Sequence, residues 1–148
     1  MYFVDRSKIE ETLKYMDSIL ADVKKLNYRT TQEKFSLERM IHVIIESIID
    51  VGNMMIDGFI MRDPGSYEDI IDILVDERVI PSEDEHAYKK LINLREMIVR
   101  EYLQIDHDKL LAIVSETYET ITSFSQHVSG YLVNELGVAN TFSNEDGK

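Results

Sequence analysis

The stretch EKFSLERMIHVIIESIIDVGNMMIDGF, residues 33–59, decides the fold. Phe35, Met40, Val43, Ile44, Ile48, Val51, Met55 and Phe59 recur at helical intervals, and Leu37, Ile41, Ile45 and Met54 flank that stripe. The pattern predicts a helix that is apolar nearly all round, of the kind that occupies the centre of a bundle or faces a second subunit as well as its own core. Gly58 and the turn Asp63-Pro64-Gly65 are expected to end it.

On the N-terminal side, residues 5–27 carry Ile9, Leu13, Met16, Leu20, Val23 and Leu26, a spacing of threes and fours that forms one stripe. Ser7 with Glu10 has the S-x-x-E form of a capping box. On the C-terminal side, Ser66-Tyr67-Glu68-Asp69 opens a short third helix through Ile70, Ile71, Leu74 and Val75. Pro81-Ser82 then starts a fourth, with a second box pattern from Ser82 to Glu85, that carries Tyr88, Leu91, Ile92, Met97 and Ile98 to the vicinity of Tyr102. A last helix carries Leu110, Leu111, Val114, Tyr118, Ile121, Phe124 and Val128. No strand-like alternation and no fixed repeat interrupts this series. The expected fold is all-α, an antiparallel bundle of four to five helices filling one domain over residues 1–136, with residues 137–148 a flexible C-terminal tail.

Composition bounds the function. A chain of 148 residues buries roughly 70% of its unfolded surface on folding, which is enough for one core. With 44% hydrophobic residues it has the apolar side chains to fill that core. The absence of cysteine removes disulfides, thiolate nucleophiles and thiolate-held metals. No apolar run approaches the ~20 residues that cross a bilayer, and Asp5 and Arg6 bring charge too early for a signal peptide, so a cytoplasmic chain without a membrane anchor is expected. A formal net charge of −12 opposes general binding to polyanions, so any nucleic-acid contact has to be local, or aided by a partner's positive field.

Metal and cofactor chemistry finds little support. Glu83 to His86 is a lone E-x-x-H where a di-iron bundle needs two with further inward carboxylates, and His86 reads as a surface residue. His42, on the crowded second helix, reads as a satisfied bundle histidine. His107 between Asp106 and Asp108 reads as a first-turn surface residue behind an aspartate N-cap. Phosphate-cradling and nucleophile-elbow motifs are missing, and neither a cofactor nor a metal is expected.

The informative segment for function is Leu94-Arg95-Glu96-Met97-Ile98-Val99-Arg100-Glu101-Tyr102. Arg95 and Tyr102 share a helix face, and Arg100 lies about 140° round from Arg95, near the helix end. Taken alone, the segment also fits an ordinary amphipathic helix terminus, with Glu96 and Arg100 as an i,i+4 pair and Arg100 against the negative helix end. Yet Arg95 to Tyr102 resembles the HepT-type HEPN motif R-N-x-x-V-H-x-Y, with Arg95, Val99 and Tyr102 in register. Ser36 to Arg39 through Glu46, Asp50, Val51, Gly52 and Asn53 resembles that family's second helix, and residues 64–81 resemble its short third helix and proline turn.

The resemblance implies a HEPN bundle that pairs as a homodimer and brings two motifs to a shared cleft. The family's ribonuclease toxins use the motif arginine and histidine to cut RNA, leaving a cyclic phosphate, and a minimal nucleotidyltransferase antitoxin adenylylates the motif tyrosine. By that likeness Arg95 and Arg100 are the candidate catalytic residues and Tyr102 is the candidate modification site. The chain departs from the motif twice, with Glu96 for the asparagine and Arg100 for the histidine. A histidine exchanges protons near neutral pH, whereas a guanidinium stays charged and only grips or stabilises phosphate. Glu96, one turn away, is placed to neutralise that charge. Two functions stay open: a dimeric toxin–antitoxin-like component with degenerate or lost ribonuclease chemistry that binds a protein partner and RNA or nucleotide, and an active metal-independent endoribonuclease toxin. A ligand-carrying bundle finds no supporting constellation.

Overall fold

The computed structural model describes residues 4–146, and the side chains of residues 4–136. Seven α-helices follow one another: α1 (Arg6–Val23), α2 (Thr31–Gly58), α3 (Tyr67–Asp76), α4 (Glu85–Ile92), α5 (Leu94–Val99), α6 (His107–Thr122) and α7 (Phe124–Asp146). Single 3-10 turns at Ser82–Asp84 and Tyr102–Gln104 lead into α4 and follow α5. No strand occurs among the described residues. Helix α7 continues to Asp146, the side chains from residue 137 on lie outside the described set, and so does the expectation of a flexible tail over residues 137–148.

The central position expected for the 33–59 segment is what the packing shows. Helix α2 touches α1, α3, α5 and α6, and its Leu37, Ile41, Ile45, Ile48, Val51 and Met55 are fully buried. Its all-round apolarity is thus largely used inside one chain, with Phe35 left out in solvent. The α1 stripe Ile9, Leu13, Met16, Leu20 and Val23 is buried, whereas Leu26 falls beyond the helix and is exposed. Gly52 lets α3 approach α2, because a Cβ there would run into Ile70 Cγ2.

Local chemistry sets the boundaries, in places against expectation. Asp5, not Ser7, caps α1 by accepting from the Lys8 amide at 3.0 Å. The reciprocal capping box belongs to Thr30 and Glu33 at the head of α2. Ser82 makes no cap, since the chain there first forms a 3-10 turn. The expected fourth helix therefore arrives as this turn plus α4 and α5, with a bend at Asn93. The expected last helix is divided at Ser123, whose hydroxyl bonds back to the Thr120 carbonyl at 2.6 Å, a local bond that competes with the helix ladder. Helix α2 ends at Gly58, and the chain leaves it through Ile60. Phe59 and Met61 donate to the Met55 and Ile56 carbonyls, and Ile60 takes φ 57°, a left-handed conformation that glycine favours.

Candidate functional site

The motif segment lies across the middle and one end of α2. Leu94 and Ile98 point into the core and fix α5 against it. That anchoring turns Arg95 toward α2, where its Nε donates to Glu46 Oε1 at 2.6 Å. The guanidinium also lies over the Tyr67 ring of α3, 4.7 Å from its centroid. Its hydrogen bond to Glu46 raises the Arg95 pKa above its ordinary value, so Arg95 is held charged and in one orientation.

Glu46 is shared. The same Oε1 lies 3.3 Å from His42 Nε2, one turn earlier on α2, and His42 Nδ1 lies 3.4 Å from a terminal nitrogen of Arg39. Arg39, His42, Glu46 and Arg95 thus form one connected polar line on a helix otherwise given to apolar packing. It borders a groove of about 380 Å³ between α1 and α2, lined by Lys8, Tyr15, Arg39, Glu46 and Asp50 among others. Partial burial, and then the charge of Glu46, raise the Asp50 carboxyl above its usual range. Beyond Tyr67 lies a second groove, lined by Asn53, Pro64, Gly65, Ser66, Tyr67 and Ile70. The Arg95–Glu46 pair stands between the two.

The far end of the motif is different. Arg100 caps α5 through its backbone, and its side chain, 72% exposed, pairs among the described residues with Glu96, at 3.6 Å and itself 64% exposed. Such a pair contributes little and is easily broken. Tyr102 projects from the following 3-10 turn, 61% exposed, beside Leu103 at 90%. The structure therefore brings Arg95 into a built network and leaves Arg100, Glu96 and Tyr102 on an open surface.

His107 departs from its expected role. Asp106 does cap α6, accepting from the Lys109 amide, but His107 Nε2 turns to Glu38 Oε2 at 2.6 Å and ties the start of α6 to α2. His86 is exposed, as expected. No cluster of three or more His, Cys, Asp or Glu able to hold a metal occurs among the described residues, and none of their helices is long and apolar enough to cross a membrane. Sequence reasoning read His42 as a satisfied bundle histidine, which its contacts with Glu46 and Arg39 agree with, and gave Glu46 no chemical role. The signal was present in Glu38, His42 and Glu46, polar residues four apart that cut one line through an apolar helix.

Comparison with known proteins agrees with this geometry. A family model described as ribonuclease HepT-like matches residues 9–128. The chain is 43% identical over 143 residues to a Bacillus subtilis (strain 168) protein named "Putative RNase YutE", covering 96% of this chain and 99% of that one. The solved structure of Bacillus subtilis YutE, described as a cytosolic protein of unknown function, superimposes with a TM-score of 0.90 at 44% identity, over 93% of this chain and 96% of the other. A Shewanella oneidensis HEPN toxin, tri-AMPylated and in complex with an MNT antitoxin, shares the fold with a TM-score of 0.70 at 18% identity, over 83% of this chain and 95% of its own. An all-helical bundle, a motif arginine seated on its central helix and a match over most of the chain converge: this protein belongs to the ribonuclease HepT-like family.

Proposed function

We propose that this chain works as a homodimeric component of a toxin–antitoxin-like system, with a weakened ribonuclease site that holds RNA or nucleotide and a surface that takes a protein partner. The observation that carries this reading is the split motif. Arg95 is fixed and charged beside Glu46, which lines the groove between α1 and α2, and is suited to meet a phosphate, while the position of the family's proton-transferring histidine is held by Arg100, which pairs with Glu96 in solvent. An arginine stays charged at neutral pH and exchanges no proton there, and losing a proton-transferring group costs on the order of 10²- to 10⁴-fold in rate.

Support for the partners comes from the same end of the molecule. Val99, Tyr102 and Leu103 are exposed apolar side chains there, and Phe35 is exposed at the start of α2, which the Glu38–His107 bond ties to the start of α6. A twofold pairing that covers them would set the two motifs face to face. The Shewanella toxin sits with an MNT antitoxin, which favours a minimal nucleotidyltransferase as partner here. Tyr102, exposed and with no hydrogen bond to its hydroxyl among the described residues, is the modification site we assign: its oxygen attacks the α-phosphorus of ATP and pyrophosphate leaves.

Light scattering at micromolar concentration is expected to give a dimer, and labelled RNA to bind it. Co-expression with the cognate nucleotidyltransferase should add adenylyl mass that Tyr102→Phe abolishes. A monomer that binds no RNA and gains no mass would overturn the reading. The second reading, an active endoribonuclease, is favoured by the intact Arg95–Glu46 network.

A further inference from the structure

We infer that His42, from outside the motif segment, is the proton acceptor of this site, oriented by Glu46 beside Arg95. The inference rests on the reading of the groove as an RNA site. Among the four histidines of the chain, His42 alone shares a carboxylate oxygen with the motif arginine: Glu46 Oε1 lies 3.3 Å from His42 Nε2 and 2.6 Å from Arg95 Nε. His107 is taken by Glu38, and His86 lies exposed at the start of α4.

The contacts also assign the tautomer. A guanidinium only donates, so the 3.4 Å approach of Arg39 to Nδ1 makes that nitrogen the acceptor and puts the ring proton on Nε2, aimed at Glu46. Arg39 is exposed and lines the groove between α1 and α2 as well as a neighbouring one formed with Asp22, Lys25, Leu26, Ser36 and Met40, so it can swing onto a phosphate and uncover the Nδ1 lone pair. His42 is itself a quarter exposed, and its two neighbours Arg39 and Glu46 line the groove between α1 and α2.

The chemistry then balances without a further reagent. The ribose 2′-hydroxyl gives its proton to His42 Nδ1 as its oxygen bonds to the adjacent phosphorus. The bond from phosphorus to the 5′ oxygen breaks, leaving a 2′,3′-cyclic phosphate. The 5′ oxygen takes a proton from water, and the imidazolium returns its own to solvent. Arg95 and Arg39 face the charge on the phosphate oxygens. With water as the acid the reaction stays slow, which agrees with the exchange of the motif histidine for Arg100. The groups that set the charge around His42 are Glu38, Arg39, Glu46 and Asp50 of its own helix, Arg95 of α5, Tyr67 of α3 behind it, Lys8 and Glu11 of α1 across the groove, and His107 of α6 through Glu38.

The test is single-turnover cleavage of a labelled RNA by the full-length wild type, His42→Gln, His42→Asn and His86→Gln, with binding followed separately by fluorescence anisotropy. His42→Gln and His42→Asn are expected to bind RNA as the wild type does and to cut it on the order of 10²-fold more slowly. His86→Gln should match the wild type. Binding with equal rates in all four proteins, or binding without any wild-type cleavage above buffer, overturns the role of His42 alone. No RNA binding by the wild type overturns it together with the RNA-site reading.

Discussion

Arg95 and Arg100 belong to one short segment and carry the same charge, yet only the first is built into the protein. Arg95 has a carboxylate at 2.6 Å, an aromatic ring beneath it and three-quarters of its side chain out of water. Arg100 has one loose, exposed partner. A sequence motif fixes which residues occur together, but the helix that receives them decides which become a site. Here α2 receives the first half and not the second, because Leu94 and Ile98 press α5 onto it before the chain turns away at Arg100.

The largest expected effect separates the inner and outer apolar positions of the segment. Ile98→Ala, at a site only 9% exposed, should cost about 2–4 kcal/mol in urea unfolding, whereas Val99→Ala, 40% exposed, should cost less than about 1. An equal cost for Val99, dependent on protein concentration, would mean that the outer half is covered by a second chain and would sharpen the assignment of the interface.

A smaller difference is expected between the two arginines themselves. Arg95→Ala leaves Glu46 without its closest donor and should destabilise by about 1–2 kcal/mol, a value held down by the partial exposure of the pair. Arg100→Ala should stay within about 0.5 kcal/mol in the same experiment. Equal losses would break the distinction between a built and an open half.

Acid should act more gently, on the support beneath Arg95. Tyr67, the ring under Arg95, opens α3, and that end is pinned by Asp69, which accepts from both terminal nitrogens of Arg62 and from the Gly65 amide. The Arg62 hydrogen bonds lead the causes that hold the Asp69 pKa at about 2. A carboxyl depressed in the folded state stabilises above its unfolded pKa of ~3.9, and that contribution drains away as the pH falls toward the folded value. Acid unfolding should therefore show a stability loss between these limits that Asp69→Asn removes. An unchanged acid slope in Asp69→Asn would show that the clamp carries no weight.

Much of the bundle was readable from spacing. The stripes of α1 and α2 predicted buried positions because a helix repeats its faces locally, and a few residues suffice to reveal that. Caps were less readable: Ser7 and Ser82 matched a box pattern that Asp5 and the Pro81 turn displaced, since several residues at a helix start compete for the same free amides. The candidate site was legible only as a local pattern. Arg95 and Tyr102 were named from the motif, but the partner of Arg95 lies 49 positions away and that of His107 lies 69 away, and only the packing of α5 and α6 on α2 brings those pairs together. No local pattern encodes a contact of that kind.

The most direct test of the central claim is metal-independent RNA cleavage by the wild type, Arg100→His, Arg100→His with Glu96→Asn, and Arg95→Ala, compared in one assay. The account predicts slow cleavage by the wild type and a rise on Arg100→His, which returns a proton donor to the open half. It predicts a further rise when Glu96→Asn removes the neighbouring carboxylate, reaching on the order of 10²-fold, and loss with Arg95→Ala. Rapid cleavage by the unaltered protein, abolished by Arg95→Ala and unmoved by Arg100→His, would contradict it and show that charge stabilisation at Arg95 and Arg100 is enough for the chemistry.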